Sequence, residues 1–110
     1  MSRARKGLWG EYVAMAVFVC RGYRIIAHRF RCPAGEIDII ARRGKVWVFI
    51  EVKVLAAGRT LEQALPSPVQ RARIVRAAKV FMAYRGEGDM RFDVVLVRRL
   101  LTWKIIENVW

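Results

Sequence analysis

Two carboxylates and a lysine stand close together in the segment between Gly35 and Lys53. Asp38 lies in an alternating polar and apolar stretch, and Glu51 comes near the end of a run of β-branched and aromatic residues. Two carboxylates on neighbouring strands repel each other unless a cation lies between them, and Mg²⁺ prefers carboxylate, carbonyl and water oxygens. The pattern therefore predicts a Mg²⁺ or Mn²⁺ site held by Asp38, Glu51 and the backbone carbonyl of Val52.

Lys53 follows Glu51 by two residues and adds a positive charge to this site. Such a lysine stabilises charge on an attacked phosphate, or orients and deprotonates the attacking water. This is the chemistry of metal-dependent phosphodiester hydrolysis. The alternative is a solvated strand end where Glu51 pairs with Lys53 or a nearby arginine, an arrangement that is common and nearly neutral in energy.

Strand alternation decides which side chains share a face. Residues 46–54 have one wholly apolar face, and the other face carries both charges together with Trp47 and Phe49. In residues 36–42, Asp38 shares a face with Glu36 and Ile40, and the opposite face carries Ile37, Ile39 and Ala41.

A hairpin turn at 43–45 would place Asp38 across from residues 49–51. The apolar faces of the two strands stay aligned only in a register where Asp38 and Glu51 point the same way. We therefore expect the two carboxylates to be neighbours.

Helical periodicity predicts two long helices. The expected core face of residues 8–21 consists of Leu8, Tyr12, Met15, Ala16 and Val19. Glu11 lies at the border of that face, where it aims a carboxylate at the sheet or, alternatively, is favoured by the macrodipole of a first helical turn. The expected core face of residues 68–85 consists of Ile74, Val75, Ala78, Phe81 and Met82.

The polar side chains of the second helix form two groups. Arg73, Arg76 and Lys79 make an outer row that we expect to be solvated. Gln70 and Arg71 lie in the first turn, where free N–H groups attract anions. These two residues are predicted to contact nucleic acid, with Arg71 supplying the charge that Gln70 lacks.

The remaining elements complete a single domain over residues 1–110. A loop is predicted at 55–67, and further strands at 23–30, 92–97 and 102–109. The fold class is therefore α/β, with a mixed sheet, the order α-β-β-β-α-β-β and the site at the sheet edge beside the first helix. Asp93 is expected to be a structural partner of an arginine.

The charge of the chain indicates an anionic partner. Lysines and arginines number 21 against 9 acidic residues, which gives a net charge of +12 in 110 residues. Nucleic acid, and DNA in particular, is the expected partner. The alternatives are an anionic membrane surface and a charge that serves only solubility.

No segment predicts export or membrane insertion. The longest uncharged run near the start, Tyr12 to Cys20, has nine residues, against the ~20 that a membrane span needs, and no small-x-small cleavage site follows it. Cys20 and Cys32 match no zinc spacing, and His28, the only histidine, is expected to be structural. We therefore expect a cytoplasmic protein that spans no membrane.

Three motifs resemble a known family: Gly-Glu-Ile-Asp-Ile-Ile at 35–40, Phe-Ile-Glu-Val-Lys at 49–53 and Arg-Phe-Asp-Val-Val at 91–95. Together they resemble the YraN-like family of small bacterial proteins, which is similar to the PD-D/ExK nuclease superfamily. That superfamily has a restriction-endonuclease-like three-layer fold and includes Holliday-junction resolvases. The resemblance implies a Mg²⁺-dependent DNA endonuclease, with branched or irregular DNA among its expected substrates. It also implies Asp38, Glu51 and Lys53 as the catalytic core and Glu11 as an accessory acid.

Two positions depart from the family pattern. Leu55 stands where a basic residue is expected after Glu-Val-Lys, and Gln70 stands where the family tends to carry lysine. Both remove positive charge near the site, which favours a non-catalytic nucleic-acid binder with the same fold. A small basic RNA- or ribosome-associated protein is a third alternative. The sequence leaves the oligomeric state open, a homodimer included.

Overall fold

Two long helices, one short helix and five strands make up the described part of the chain. The computed structural model describes residues 3–56, 58–98 and 102–108. In chain order the elements are α1 (Arg3–Cys20), β1 (Arg24–Cys32), β2 (Gly35–Arg43), β3 (Val46–Val54), α2 (Leu61–Ala64), α3 (Pro68–Arg85), β4 (Asp89–Arg98) and β5 (Thr102–Ile106).

Several predicted boundaries need correction. The strands predicted at 23–30 and 92–97 are Arg24–Cys32 and Asp89–Arg98. The first helix, predicted from residue 8, begins at Arg3, and the predicted loop at 55–67 contains the short helix α2. The last strand was predicted to reach Val109 but ends at Ile106, and a turn follows at residues 107–108. Val109 itself lies outside the described residues.

The strands form one mixed sheet in the order β1-β2-β3-β4-β5. β3 and β4 are parallel, and the other neighbouring strands are antiparallel. A parallel pair needs a long crossover, which the segment containing α2 and α3 provides. Because α1 packs on one face of the sheet and α3 on the other, the molecule has three layers. The predicted α/β class, mixed sheet and element order are confirmed.

Alternation along β3 divides its side chains between two cores. Val48 and Ile50 pack in the cluster under α1, whereas Trp47 and Phe49 pack in the cluster under α3. The predicted faces of this strand are therefore confirmed, and they place its two charged residues on the α3 side.

Ile37 does not follow the predicted alternation of β2. It was expected to share a face with Ile39, but it packs with Ile40 in the cluster under α3. The ladder between β2 and β3 ends at Ile39, so pairing with β3 does not fix the direction of the Ile37 side chain.

The buried face of α1 is not the one that periodicity predicted. Tyr12 and Val19 are 59% and 55% exposed, whereas Ala14 is fully buried. The helix carries apolar residues around most of its circumference, so spacing alone does not select the buried face. Small residues determine the buried face instead. At Gly10 the helix lies so close to the sheet that a Cβ would be 2.5 Å from Cγ2 of Val54. Among the described residues, no helix has the length and hydropathy of a membrane span.

Capping residues fix both ends of α3. The Ser67 hydroxyl accepts a hydrogen bond from the backbone N–H of Gln70 at 3.2 Å, and Pro68 is the first helical residue. Gly86 follows the last turn with a φ of 93°. The predicted bounds of this helix are confirmed, and Ala77 joins its predicted core face.

α3 lies so close to the start of β2 that a side chain at Gly35 would meet its backbone. A Cβ there would lie 3.0 Å from the carbonyl oxygen of Arg73. We expect Gly35→Ala to lower the free energy of unfolding, measured in urea, by about 1–3 kcal/mol, the usual range for overpacking.

Gly44→Ala is the matched control for this substitution. Gly44 also has a positive φ, of 60°, but a Cβ there would meet nothing within 4 Å. Equal losses in the two variants would show that the contact between Gly35 and α3 is not tight.

Asp93 is a fully buried carboxylate that is neutralised within its own strand. Arg91 Nη2 lies 2.8 Å from Oδ2 of Asp93 and donates to the Tyr23 hydroxyl at 2.9 Å. The backbone N–H of Asn108 donates to Oδ1 of Asp93 at 2.9 Å. The expected structural role of Asp93 as a partner of an arginine is confirmed.

Candidate active site

An open cleft of about 580 Å³ lies where α1, the sheet and α3 meet. Its polar lining comes from three strands and both long helices and consists of Glu11, Arg29, Arg31, Glu36, Asp38, Glu51, Lys53, Gln70 and Arg73. The four side chains that were predicted to act in catalysis therefore lie in one cleft.

The two predicted metal ligands meet where the pairing of β2 and β3 ends. The last pair of this ladder is Ile39 with Ile50, and Asp38 and Glu51 are the next residues on the two strands. Beyond the ladder, the backbone N–H of Val52 donates to Oδ2 of Asp38 at 2.8 Å. Asp38 and Glu51 are therefore neighbours across the two strands, as the predicted register requires.

The carboxyl pair is strongly shifted towards its protonated form. Burial, followed by repulsion from Asp38, raises the pKa of Glu51 from 4.5 to about 8, although the charge of Lys53 opposes this shift. Burial also raises the pKa of Asp38, and the hydrogen bond from Val52 opposes it. At neutral pH the pair therefore shares a proton, which a divalent cation would displace on binding.

Two further side chains contact Glu51. Lys53 Nζ and Gln70 Nε2 each lie 3.4 Å from its Oε1. The alternative left by the sequence, a solvated strand end where Glu51 pairs with Lys53, is correct in the pairing. It is wrong in the solvation, because Glu51 is only 8% exposed. The Lys53 side chain is 31% exposed, which lets it contact both Glu51 and a ligand in the cleft.

Glu11 reaches the cleft from α1, and the side chains of His28 and Arg29 already contact its carboxylate. Its Oε1 lies 2.6 Å from His28 Nε2 and 2.9 Å from Arg29 Nε, and Arg29 Nη2 donates to its Oε2 at 3.3 Å. Because α1 begins at Arg3, Glu11 is not in a first helical turn, and the macrodipole explanation for it is wrong. His28 is a partner of this buried carboxylate, which agrees with the structural role expected for it.

The sequence placed Arg71 at the cleft and Arg73 in a solvated outer row. Arg73 is exposed as predicted, but it also lines the cleft, whereas Arg71 does not. Successive helical residues are about 100° apart, so these two arginines flank the buried arc on opposite sides. Periodicity does not say which flank faces the cleft.

Leu55 is buried against Val94 and Leu96 outside the cleft, so it removes no charge from the site.

Two arginines of β1 also line the cleft, and neither was predicted from the sequence. Arg29 and Arg31 lie two residues apart on the strand that pairs with β2. Arg31 forms an exposed ion pair with Glu36, with 3.1 Å between Nε and Oε2. Their place on the strand predicted to lie next to that of Asp38 was the sequence feature that could have drawn attention to them.

Comparison with known proteins identifies the family of this chain. Residues 10–97, which include every polar residue of the cleft, match the family described as "Uncharacterised protein family UPF0102". The chain belongs to the UPF0102 family. The predicted YraN-like membership is thereby confirmed.

UPF0102 relatives are similar over most of their length. A UPF0102 protein of Maricaulis maris is 49% identical over 107 residues, which cover 88% of this chain and 82% of the relative. A UPF0102 protein of Mesorhizobium japonicum is 41% identical over 103 residues, with 91% and 79% covered. One from a Bradyrhizobium species is 43% identical over 96 residues, with 84% and 70% covered.

The carboxyl pair of this UPF0102 chain has the donors that a hard divalent cation needs. Mg²⁺ accepts two carboxylates and a carbonyl, with water and phosphate oxygens in its other positions. The N–H of Val52 bonds to Asp38 on β2. Because the N–H and C=O of a strand residue point to the same side, we expect its carbonyl on the β2 side of β3. Within the described ranges no group of three or more His, Cys, Asp or Glu side chains could hold a metal.

The raised pKa of Glu51 makes the stability of this UPF0102 protein depend on pH. An unfolded glutamate ionises near pH 4.5, whereas folded Glu51 keeps its proton up to about pH 8, so the folded state loses stability between these values. Without metal, we expect the free energy of unfolding of Glu51→Gln, measured in urea, to rise relative to that of wild type as the pH goes from 4.5 to 8. The increase should be at least about 1.4 kcal/mol, the equivalent of one pKa unit.

Glu36→Gln is the control for this pH series. Its carboxylate lines the same cleft but is 65% exposed, so the stability difference from wild type should stay constant with pH. A constant difference for Glu51→Gln as well would show that Glu51 ionises like a surface glutamate.

Proposed function

We propose that this protein hydrolyses DNA phosphodiester bonds in a metal-dependent reaction at the cleft. One observation supports it above the others: the buried carboxyl group of Glu51 and the half-buried one of Asp38 meet in an open cleft, with the Lys53 ammonium 3.4 Å from Glu51. Carboxylates in contact are ready ligands for a divalent cation, and an ammonium beside them stabilises charge on a phosphate. The resemblance to PD-D/ExK nucleases implies the same chemistry.

Asp38, Glu51 and the Val52 carbonyl would hold the metal. The Val52 N–H orients Asp38, and Gln70 orients Glu51, so both carboxylates are held before a metal binds. A bound Mg²⁺ or Mn²⁺ would supply an activated water and neutralise charge on the attacked phosphate.

Lys53 has the position of the group that acts on the water or the phosphate. It shares a strand face with Glu51, and its half-buried stem leaves the ammonium in reach of the cleft. It would hold the attacking water, or stabilise the charge that builds up on the phosphate oxygens.

The net charge of +12 supports nucleic acid as the substrate. In EDTA, we expect the logarithm of the affinity for duplex DNA to fall linearly with the logarithm of the salt concentration. The slope should be about −0.9 for each phosphate neutralised. Fluorescence anisotropy over a salt series measures it, and an affinity that does not change with salt would contradict nucleic acid as the partner.

A cleavage assay tests the proposed activity directly. The substrates are linear, flapped, single-stranded and four-way-junction DNA, each with a matched RNA, in Mg²⁺, Mn²⁺ or EDTA. We expect cleavage of at least one DNA substrate with metal and none in EDTA. Undetectable cleavage by pure wild-type protein on every substrate would overturn the proposal.

A nucleic-acid binder without catalytic activity is the second candidate. Gln70 favours it, because this residue contacts Glu51 from the start of α3 and brings no charge to the site. Tight, salt-sensitive binding without any cleavage would support this candidate. Preference for the RNA substrates in the same binding assay would support an RNA-associated protein.

A further inference from the structure

Arginines from two different elements line the cleft, and the proposed reaction gives them no role. Arg29 lies on β1 and Arg73 lies on α3. The planar guanidinium group donates parallel hydrogen bonds to a phosphate, which makes arginine a preferred residue for binding nucleic-acid backbones. A chain of phosphates that passes the carboxyl pair would therefore meet donors from both elements.

Glu11 holds Arg29 in one orientation, and His28 in turn contacts Glu11. Two nitrogens of Arg29 contact the two oxygens of Glu11, at 2.9 and 3.3 Å, and a two-point contact of this kind fixes the plane of the guanidinium. The Glu11 side chain is 7% exposed, and His28 Nε2 lies 2.6 Å from the same carboxylate. The carboxylate is therefore itself held in place.

The backbone at Arg29 also indicates a functional constraint. Its φ is 57°, in the left-handed region that residues other than glycine rarely adopt. The β1–β2 ladder pairs His28 with Ile39 and Phe30 with Ile37, and it passes over Arg29. Glycine would adopt this conformation at lower cost, so an arginine here points to a requirement for its side chain.

Arg73 is held at the cleft by its backbone. Its carbonyl oxygen and Cβ lie against Gly35, within 3.0 and 3.3 Å of the position that a Cβ on that glycine would take. Among the described residues Arg73 forms no ion pair within 4 Å. Its charge is therefore available to a ligand.

We infer that Arg29 and Arg73 form a phosphate-binding pair that holds a nucleic-acid backbone across the carboxyl pair. We also infer that Glu11 is a positioning residue for Arg29 rather than a metal ligand. This inference rests on the proposed nucleic-acid substrate of the same cleft. It assigns Glu11 a different role from the accessory catalytic role that the family resemblance implies.

The direction in which Glu11→Gln changes DNA affinity distinguishes a positioning role from an accessory catalytic role. In EDTA, removing a negative charge from an anion-binding cleft should tighten DNA binding if that charge does nothing else. If Glu11 positions Arg29, Glu11→Gln should instead weaken binding, by roughly 3-fold or more, since a charge-assisted contact is lost. Glu36→Gln is the matched control, because Glu36 lines the same cleft but pairs with an exposed arginine, and its binding should stay unchanged or tighten.

Arginine variants test the phosphate-binding pair itself. We expect Arg29→Ala and Arg73→Ala each to weaken binding of a fluorescent DNA duplex in EDTA roughly 10-fold, and each to reduce the salt slope by about 1. Arg76→Ala, an exposed residue of α3 outside the cleft, should stay within about twofold. Arg29→Lys keeps the charge but loses the planar fork, so it should also weaken binding, and it serves where Arg29→Ala does not fold.

Glu11→Gln should also keep the increase in melting temperature that Mn²⁺ causes in wild type, because it removes no metal ligand. Tighter DNA binding by Glu11→Gln together with a lost Mn²⁺ effect would overturn the positioning role. DNA binding that is indifferent to Arg29 and Arg73 would overturn the phosphate-binding pair while leaving any cleavage activity in place. DNA binding that depends on both arginines, without cleavage of any substrate, would support the phosphate-binding pair. The same result would contradict the proposed nuclease activity.

Discussion

Replacing Lys53 with alanine should lower the rate of metal-dependent cleavage about 10²–10³-fold, the usual effect of removing one preorganised charge from an active site. DNA affinity should stay within a few fold, because Lys53 is one of 21 basic residues. Loss of the ammonium 3.4 Å from Glu51 also raises the pKa of that carboxyl. The rate is therefore measured in single-turnover reactions at saturating metal and saturating DNA.

Lys79→Ala is the matched control for Lys53→Ala. Lys79 lies on the exposed side of α3, so its removal should change affinity and salt dependence slightly and leave the chemical rate unchanged. Cleavage that survives Lys53→Ala undiminished would come from a contaminating nuclease, and the assignment of Lys53 would be wrong.

Millimolar Mn²⁺ or Mg²⁺ should raise the melting temperature of the wild-type protein, and Asp38→Asn should abolish this increase. A ligand that binds only the folded state stabilises it by about 2.7 kcal/mol at 100 times its dissociation constant, which corresponds to roughly 10 °C or more in a domain of this size. Differential scanning fluorimetry across a metal titration measures the shift. Asparagine is a suitable replacement because its amide oxygen still accepts the hydrogen bond from Val52.

Asp89→Asn is the control for the metal titration. Asp89 is an exposed aspartate at the start of β4, and its variant should show the full wild-type shift. Equal shifts in wild type and Asp38→Asn would show that the carboxyl pair does not bind the metal.

The carboxyl pair could be predicted from sequence because two strict geometric rules locate it. Alternation has a period of two, and a short turn between β2 and β3 fixes their register. A shift of one residue would have moved Ile39 and Ile50 out of the core, so Asp38 and Glu51 had to be neighbours. Their raised pKa values could not be predicted, because burial depends on the helices that cover them.

The packing of the helices was predicted less well than that of the strands. Helical periodicity does not decide which face of a helix packs against the sheet when several faces are apolar. α1 is apolar on two sides, and the buried side is set by the closeness that Gly10 and Ala14 allow. On α3, Arg71 and Arg73 flank the core symmetrically, and only the position of the cleft distinguishes them. Both choices depend on tertiary contacts rather than on the sequence of the helix.

The role of Arg29 was missed for a different reason. A positive φ at this residue and an irregularity between Ile25 and Ala27 interrupt the regular ladder of β1. Strict alternation therefore does not give the direction of its side chain, and its contact with Glu11 joins residues 18 apart in sequence.

The hydrogen bond from Val52 to Asp38 makes one backbone amide a spectroscopic reporter of the whole site. Its proton is bonded to a side-chain carboxylate, so its ¹H–¹⁵N resonance should shift whenever that carboxylate gains a proton, a metal ion or a new neighbour. A two-dimensional NMR titration would thus separate metal binding from DNA binding at a single peak. Its rate of exchange with deuterium should likewise follow the ionisation of the carboxyl pair rather than the global unfolding of the sheet.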